Sequence, residues 1–248
     1  MLLVEYLLAF GLGLAPSIVW LIFFEYEEAK HGEPISRLIY AFIIGSFTTF
    51  AALAVQLAVI PYFQAHAISQ HNLLGISIFA SIEEILKFLA VYFLIAWRFK
   101  FDEPLEAMIY MITVALGFAA VENIASLVNQ GGLHGAVISA AALESIILRF
   151  LGATLLHSAT SGIIGFQWAV GLVRKKYVWL HLMLGVVMAS LLHSVFNYLI
   201  IMTGPSSWGL AFVVFISLFT LIDFEELRIE DESEHAMLMK ASENIMLK

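Results

Sequence analysis

Ser81-Ile-Glu-Glu-Ile-Leu-Lys-Phe88 decides how the chain is read, because it sets Glu83, Glu84 and Lys87 inside an apolar run over 73–97. A charge near the centre of a membrane helix costs on the order of 2.5 to 3.5 kcal/mol even on lenient insertion scales, so three of them need a partner or a task. In a soluble helix, Glu-Glu-x-x-Lys would be an ordinary ion pair on a solvated face. Between largely apolar flanks it reads instead as the centre of a buried polar site.

Working outward, the chain has 248 residues, 61% of them hydrophobic and 13% charged, with a mean hydropathy of +0.93. These values lie outside those of a soluble domain and predict an all-α fold, a polytopic membrane helix bundle in contact with lipid. Apolar runs of about 20 residues can cross a bilayer as helices. About seven are expected here, over 2–24, 38–60, 73–97, 105–128, 141–173, 178–202 and 208–222. The fifth is too long for one straight span, so its start near 140–144 is expected to lie in the interface or to be broken from the rest. Pro61, Asn129-Gln-Gly-Gly132 and Thr203-Gly-Pro-Ser-Ser207 supply turn chemistry at the ends of apolar runs.

Lysine and arginine alternate between loops. Lys30 and Arg37 fall in the first, Arg98 and Lys100 in the third, Arg174, Lys175 and Lys176 in the fifth, and Arg228, Lys240 and Lys248 in the tail. Basic loops stay cytoplasmic, so the N terminus is expected outside and the C terminus inside. The first run lacks a basic leader and is expected to be retained as a span. Residues 1–222 form one membrane domain in this reading, and 223–248 an acidic tail, a frayed helix or disordered. The net charge of -8 lies largely in the first loop and that tail, and no basic tract points to nucleic acid. Cysteine is absent, which excludes thiol nucleophiles and Cys-ligated metal sites.

Counted from the cytoplasmic ends at about 1.5 Å per residue, Glu83, Glu122, His157 and His193 fall roughly 21 to 27 Å above the inner boundary. Four helices therefore bring ionisable groups to one layer. Glu83 and Glu84, about 100° apart around a helix, can border one cavity, where close carboxylates divide into an acid and a base. Lys87, on their face, offsets part of that charge. Glu122 beside Asn123 is either a carboxyl hydrogen-bonded between helices or a substrate-positioning group. His157 is either a satisfied core histidine or a donor to a developing oxyanion. Arg149 either snorkels to the outer interface or joins the site. His193 and Asn197 stand one turn apart, where both can hold a polarised carbonyl.

In order and spacing, Glu83-Glu84-x-x-Lys87, Phe101-Asp-Glu-Pro104 leading to Gly117-Phe118-Ala119-x-x-Glu122-Asn123, Arg149 with His157, and His193-x-x-x-Asn197 resemble the PrsW family of intramembrane proteases. The early Trp20 and the acidic first loop with Pro34 belong to the same resemblance, which runs to about residue 222. It implies kinship with the CAAX prenyl endopeptidases and bacteriocin-processing membrane proteins, whose site needs no metal or cofactor. By position, Glu83 and Glu84 look like the water-activating glutamates, His157 and His193 like the assisting histidines, and Glu122 and Asn197 like second members of the site. The implied partner is a membrane-spanning protein or peptide at the cell membrane, as in site-1 cleavage of an anti-sigma factor. Two other readings of the same residues stand beside it. One is a zinc-dependent membrane protease using His157, His193 and a glutamate; the other is a small proton-coupled transporter with a Glu and His relay.

Overall fold

The computed structural model describes residues 2–28, 33–101, 103–129, 133–134, 137–204 and 207–246. Lys30, Asp102, Gln130, Gly131, Gly132, Pro205, Ser206 and Lys248 lie outside the described residues. Helix α1 spans Leu2–Glu28 and α2 Ile35–Ala65. Helix α3, Leu73–Ala90, runs on through a π-helical segment, Val91–Ala96, into the single turn α4, Trp97–Phe99. After α5, Pro104–Asn129, comes a small antiparallel hairpin of β1, Leu133–His134, and β2, Val137–Ile138. Helix α6, Ala140–Arg149, is joined by a second π-helical segment, Phe150–Thr154, to α7, Leu155–Arg174. Helices α8, Val178–Thr203, and α9, Ser207–Met246, complete the bundle.

Among the described residues, five helical stretches are long and apolar enough to cross a membrane: Leu3–Tyr26, Ile35–Ala65, Pro104–Asn129, Ala142–Arg174 and Val178–Thr203. The other two expected spans are also helical, α3 with its three charges and the first part of α9. A polytopic helical bundle is therefore the fold.

Local chemistry explains several boundaries. Asn72 opens α3 by accepting from the Gly75 amide at 2.8 Å, and Ser139 opens α6 by accepting from Ala142 at 3.1 Å. Two boundaries differ from the sequence expectation. Pro61 lies inside α2 rather than ending it, since the helix continues to Ala65. The long fifth span is interrupted at Phe150–Thr154 rather than near 140–144, and by a π segment instead of a break. Helix α9 continues past 222, where the sequence leaves a frayed helix or disorder open, and ends at Met246.

Helix α5 is the axis of the bundle, buried on every side from Leu105 to Ala120. Small residues allow this. A Cβ on Gly45 would strike the Val114 carbonyl, and one on Gly117 the Phe42 carbonyl, so α2 and α5 meet backbone to backbone. Ser46 Oγ donates to Gly117 O at 3.2 Å and Thr49 Oγ1 to Phe118 O at 3.2 Å across the same seam. Gly165 brings α7 onto Met108 in the same way. This close packing sets the level at which α3, α5, α7 and α8 present their polar side chains to one another.

Candidate active site

Glu84 on α3 has no exposed surface. Its Oε1 accepts from Lys87 Nζ at 2.6 Å and from Thr160 Oγ1 at 3.2 Å, while Ser161 Oγ donates to Oε2 at 3.3 Å. His193 Nδ1 on α8 lies 2.7 Å from the same Oε1. A carboxylate only accepts, so Nδ1 of His193 donates to Glu84, and the other ring nitrogen of His193 is Nε2. That Nε2 lies 3.6 Å from Glu83 Oε2. Glu83 in turn accepts from Gln56 Nε2 on α2 at 2.9 Å.

Lys87, fully buried, is held between Glu84 and the π face of Phe118, its Nζ 5.1 Å from the ring centroid. It also lies 3.1 Å from His157 Nδ1 on α7. An ammonium only donates, so Nδ1 of His157 accepts and Nε2–H is directed to Glu122 Oε2, 2.8 Å away on α5. The two imidazoles meet edge to face with centroids 4.9 Å apart. Arg149, at the end of α6, places Nη2 3.6 Å from Glu122 and donates through Nε to Asn123 Oδ1 at 2.5 Å. Asn123 Nδ2 donates in turn to Thr154 Oγ1 at 3.0 Å. Buried charges are tolerated best when paired and hydrogen-bonded, as Glu84 is with Lys87 and Glu122 with Arg149 and His157.

These groups border a polar cavity of about 390 Å³, with Glu83, Glu122, Arg149, His157, His193 and Asn197 in its wall. Arg149 is turned into the site, which sets aside its reading as an arm to the outer interface. Glu84 and Lys87 stand behind the wall. Of the two glutamates expected to border one cavity, Glu83 lines it and Glu84 does not. The neighbours of Glu84 occupy both its oxygens and seal it off, so Glu83 alone of the two reaches the cavity.

Four members were not singled out from the sequence: Gln56, Thr154, Thr160 and Ser161. Gln56 left a signal, as the one side chain over 51–60 able to hydrogen-bond. Thr160 and Ser161 left a weaker one, three and four residues after His157 on a helix whose small polar residues commonly bond their own backbone.

Glu83, His157 and His193 each offer a metal-ligating atom, all within 4.8 Å of one another. Two imidazoles and a carboxylate are a donor set that suits zinc. The Nδ1–H of His193 resting on Glu84 is the arrangement that orients a metal-binding imidazole. His157 would have to give up Lys87 or Glu122 to contribute its nitrogen. With that exchange, the set fits a divalent cation.

Comparison with known proteins identifies the family of the chain. A family described as PrsW family intramembrane metalloprotease matches residues 33–222. Protease PrsW of Geobacillus kaustophilus is 27% identical over 201 residues, covering 79% of this chain and 80% of that protein. Protease PrsW of Bacillus subtilis is 28% identical over 223 residues, covering 84% and 90%. That of Oceanobacillus iheyensis is 26% identical over 221 residues, covering 89% and 95%. No solved structure matches the chain. With the family match spanning every helix that carries a site residue, from Gln56 on α2 to Asn197 on α8, the chain belongs to the PrsW family of intramembrane proteases.

Proposed function

We propose that this membrane protease cuts a membrane-spanning protein within or beside the bilayer of the cell membrane, with Glu83 as the base that takes a proton from the attacking water. The observation that carries this reading is the position of Glu83, a carboxylate at the wall of a polar cavity with one oxygen on Gln56 and the other toward His193. With His193 neutral, the lone pair on its Nε2 accepts from the same water and aims it. As the peptide carbonyl is attacked, the Arg149 guanidinium and the Asn197 amide supply donors for the oxyanion. Glu83 then returns its proton to the leaving amine. Glu84 takes no proton in this scheme: it holds the His193 tautomer and balances Lys87.

Glu83→Gln keeps the shape of the side chain and removes the base. Cleavage should fall by roughly 10² to 10⁴-fold, with membrane insertion intact. Substrates are sought by co-expressing single-span membrane proteins with the intact chain and with a Glu83→Ala, Glu84→Ala double variant. A membrane-spanning anti-sigma factor is the candidate that the resemblance implies, and the outer-half depth of the polar layer supports a cut toward the extracytoplasmic side. A fully active Glu83→Gln enzyme would falsify the assignment.

A second reading is favoured by the ligand set of Glu83, His157 and His193 and by the description of the family as metalloproteases. When bound there, zinc would polarise the substrate carbonyl and acidify water. In that case chelation should abolish cleavage and zinc restore it, whereas metal-stripped protein working at the full rate leaves Glu83 as sole activator. Retained metal, measured by mass spectrometry, should then fall in His193→Ala as well.

A further inference from the structure

Glu83 receives a single hydrogen bond among the described residues, and it comes from outside the motif. The donor is Gln56 of α2, at 2.9 Å from Oε1. Over 51–60 the helix reads Ala-Ala-Leu-Ala-Val-Gln-Leu-Ala-Val-Ile, so one carboxamide stands in a run otherwise made for lipid. Helix packing does not need it there. Helices α2 and α3 run antiparallel and are already joined on either side, by the Phe63 and Phe79 rings stacked at 5.3 Å and by Tyr40 Oη donating to Leu94 O at 3.4 Å. Hydrogen bonds between membrane helices add little to stability on average. What the amide does is hold one oxygen of a carboxylate that receives no other hydrogen bond among the described residues. Lys87, Thr160 and Ser161 each direct a hydrogen bond to Glu84, Lys87 also lies 3.1 Å from His157 Nδ1, and His193 Nε2 is 3.6 Å from Glu83 Oε2, beyond hydrogen-bond distance.

From this we infer that Gln56 is a positioning residue for Glu83. By anchoring Oε1 it fixes the carboxylate plane, so that Oε2 faces His193 and the cavity where water must be met. This rests on the reading of Glu83 as the base. A reacting group displaced by about 1 Å can lose 10²-fold in rate, so the cost of a loose Glu83 should appear in the chemical step rather than in substrate binding. Nothing in the Glu-Glu-x-x-Lys motif itself supplies the anchor, which is why the residue lies 27 positions upstream.

The test compares Gln56→Met, of similar length without a donor, and Gln56→Glu, of the same shape with an acceptor in place of the donor. Both are purified in full-length protein and assayed on the membrane-spanning substrate found by co-expression. In Gln56→Met, kcat should fall roughly 10- to 100-fold, the loss expected for a hydrogen bond to a charged group, with KM within about twofold and an unchanged thermal midpoint. Gln56→Glu should fall at least as far. The infrared carboxyl band of Glu83, isolated by subtracting the spectrum of Glu83→Gln, should shift in Gln56→Met. Wild-type kcat in Gln56→Met overturns the inference. So does a loss of kcat that follows the thermal midpoint while the carboxyl band stays in place, since that is the behaviour of a packing residue. An inactive Glu83→Gln beside a fully active Gln56→Met removes the role of Gln56 alone; an active Glu83→Gln removes the base on which it rests.

Discussion

Adjacent glutamates on one helix turn have opposite surroundings in this protein. Glu83 meets the cavity, while Glu84 is enclosed by Lys87, His193, Thr160 and Ser161. Removing one partner of a buried pair leaves the other charged and unmatched, at a cost of about 3 to 5 kcal/mol, whereas replacing both with apolar groups is often neutral. Glu84→Gln should therefore lower the thermal midpoint sharply. Adding Lys87→Met should recover much of that stability without restoring cleavage, because His193 still lacks the carboxylate that sets its tautomer. Thermal unfolding in detergent of the two single variants and the double variant measures this coupling. A double variant no more stable than Glu84→Gln would show that Lys87 and Glu84 do not act as a pair.

At the level of the element, the informative feature is the π-helical segment Phe150–Thr154, placed between Arg149 and His157. Such segments widen the helix and release a carbonyl from its regular partner, and they occur often at functional sites. Here the indole of Trp20 on α1 donates to the Phe150 carbonyl at 3.0 Å, and its ring stacks on the Phe150 side chain at 5.3 Å. At the far end of the segment, Thr154 accepts from Asn123, the residue that also holds Arg149. Helix α1 lies before the residues matched by the family, yet it supports the segment that spaces two members of the site. Trp20→Phe keeps the stacking and deletes the donor. It should destabilise the fold by about 1 kcal/mol and lower kcat as the spacing of Arg149 and His157 relaxes. Wild-type values of both would take α1 out of the account of the site.

Across the whole molecule, six helices bring side chains of the described residues to one polar cluster, and α5 is the post against which α1, α2 and α7 pack. The α2 and α5 seam depends on Gly45 and Gly117, each against the other helix's carbonyl. Since α2 carries Gln56, parting this seam moves the anchor of Glu83 as well. Gly117→Val should cost about 1 to 3 kcal/mol, the usual range for overpacking, and lower cleavage. Because either substitution already opens the seam, Gly45→Val added to Gly117→Val should cost less than the sum of the two single changes. Stability and cleavage measured on all three variants decide this, and strict additivity would mean that the two glycines act at separate contacts.

By itself the sequence determined that this is a membrane helix bundle and which side chains are out of place in it. The reason is energetic: a charge or imidazole in a lipid-length run is costly whatever its neighbours, so Glu83, Glu84, Lys87, Glu122, Arg149, His157 and His193 announce themselves before any fold is known. Gln56 did not, because an uncharged amide costs less and is common glue between helices. Nor could periodicity separate Glu83 from Glu84, which differ by one step of rotation. Only the tertiary structure decided which of them meets the cavity, because the deciding groups arrive from Gln56, Thr160, Ser161 and His193, 27 to 109 residues away in the chain. A buried carboxylate is defined by the donors that surround it, and those donors converge only when the helices pack.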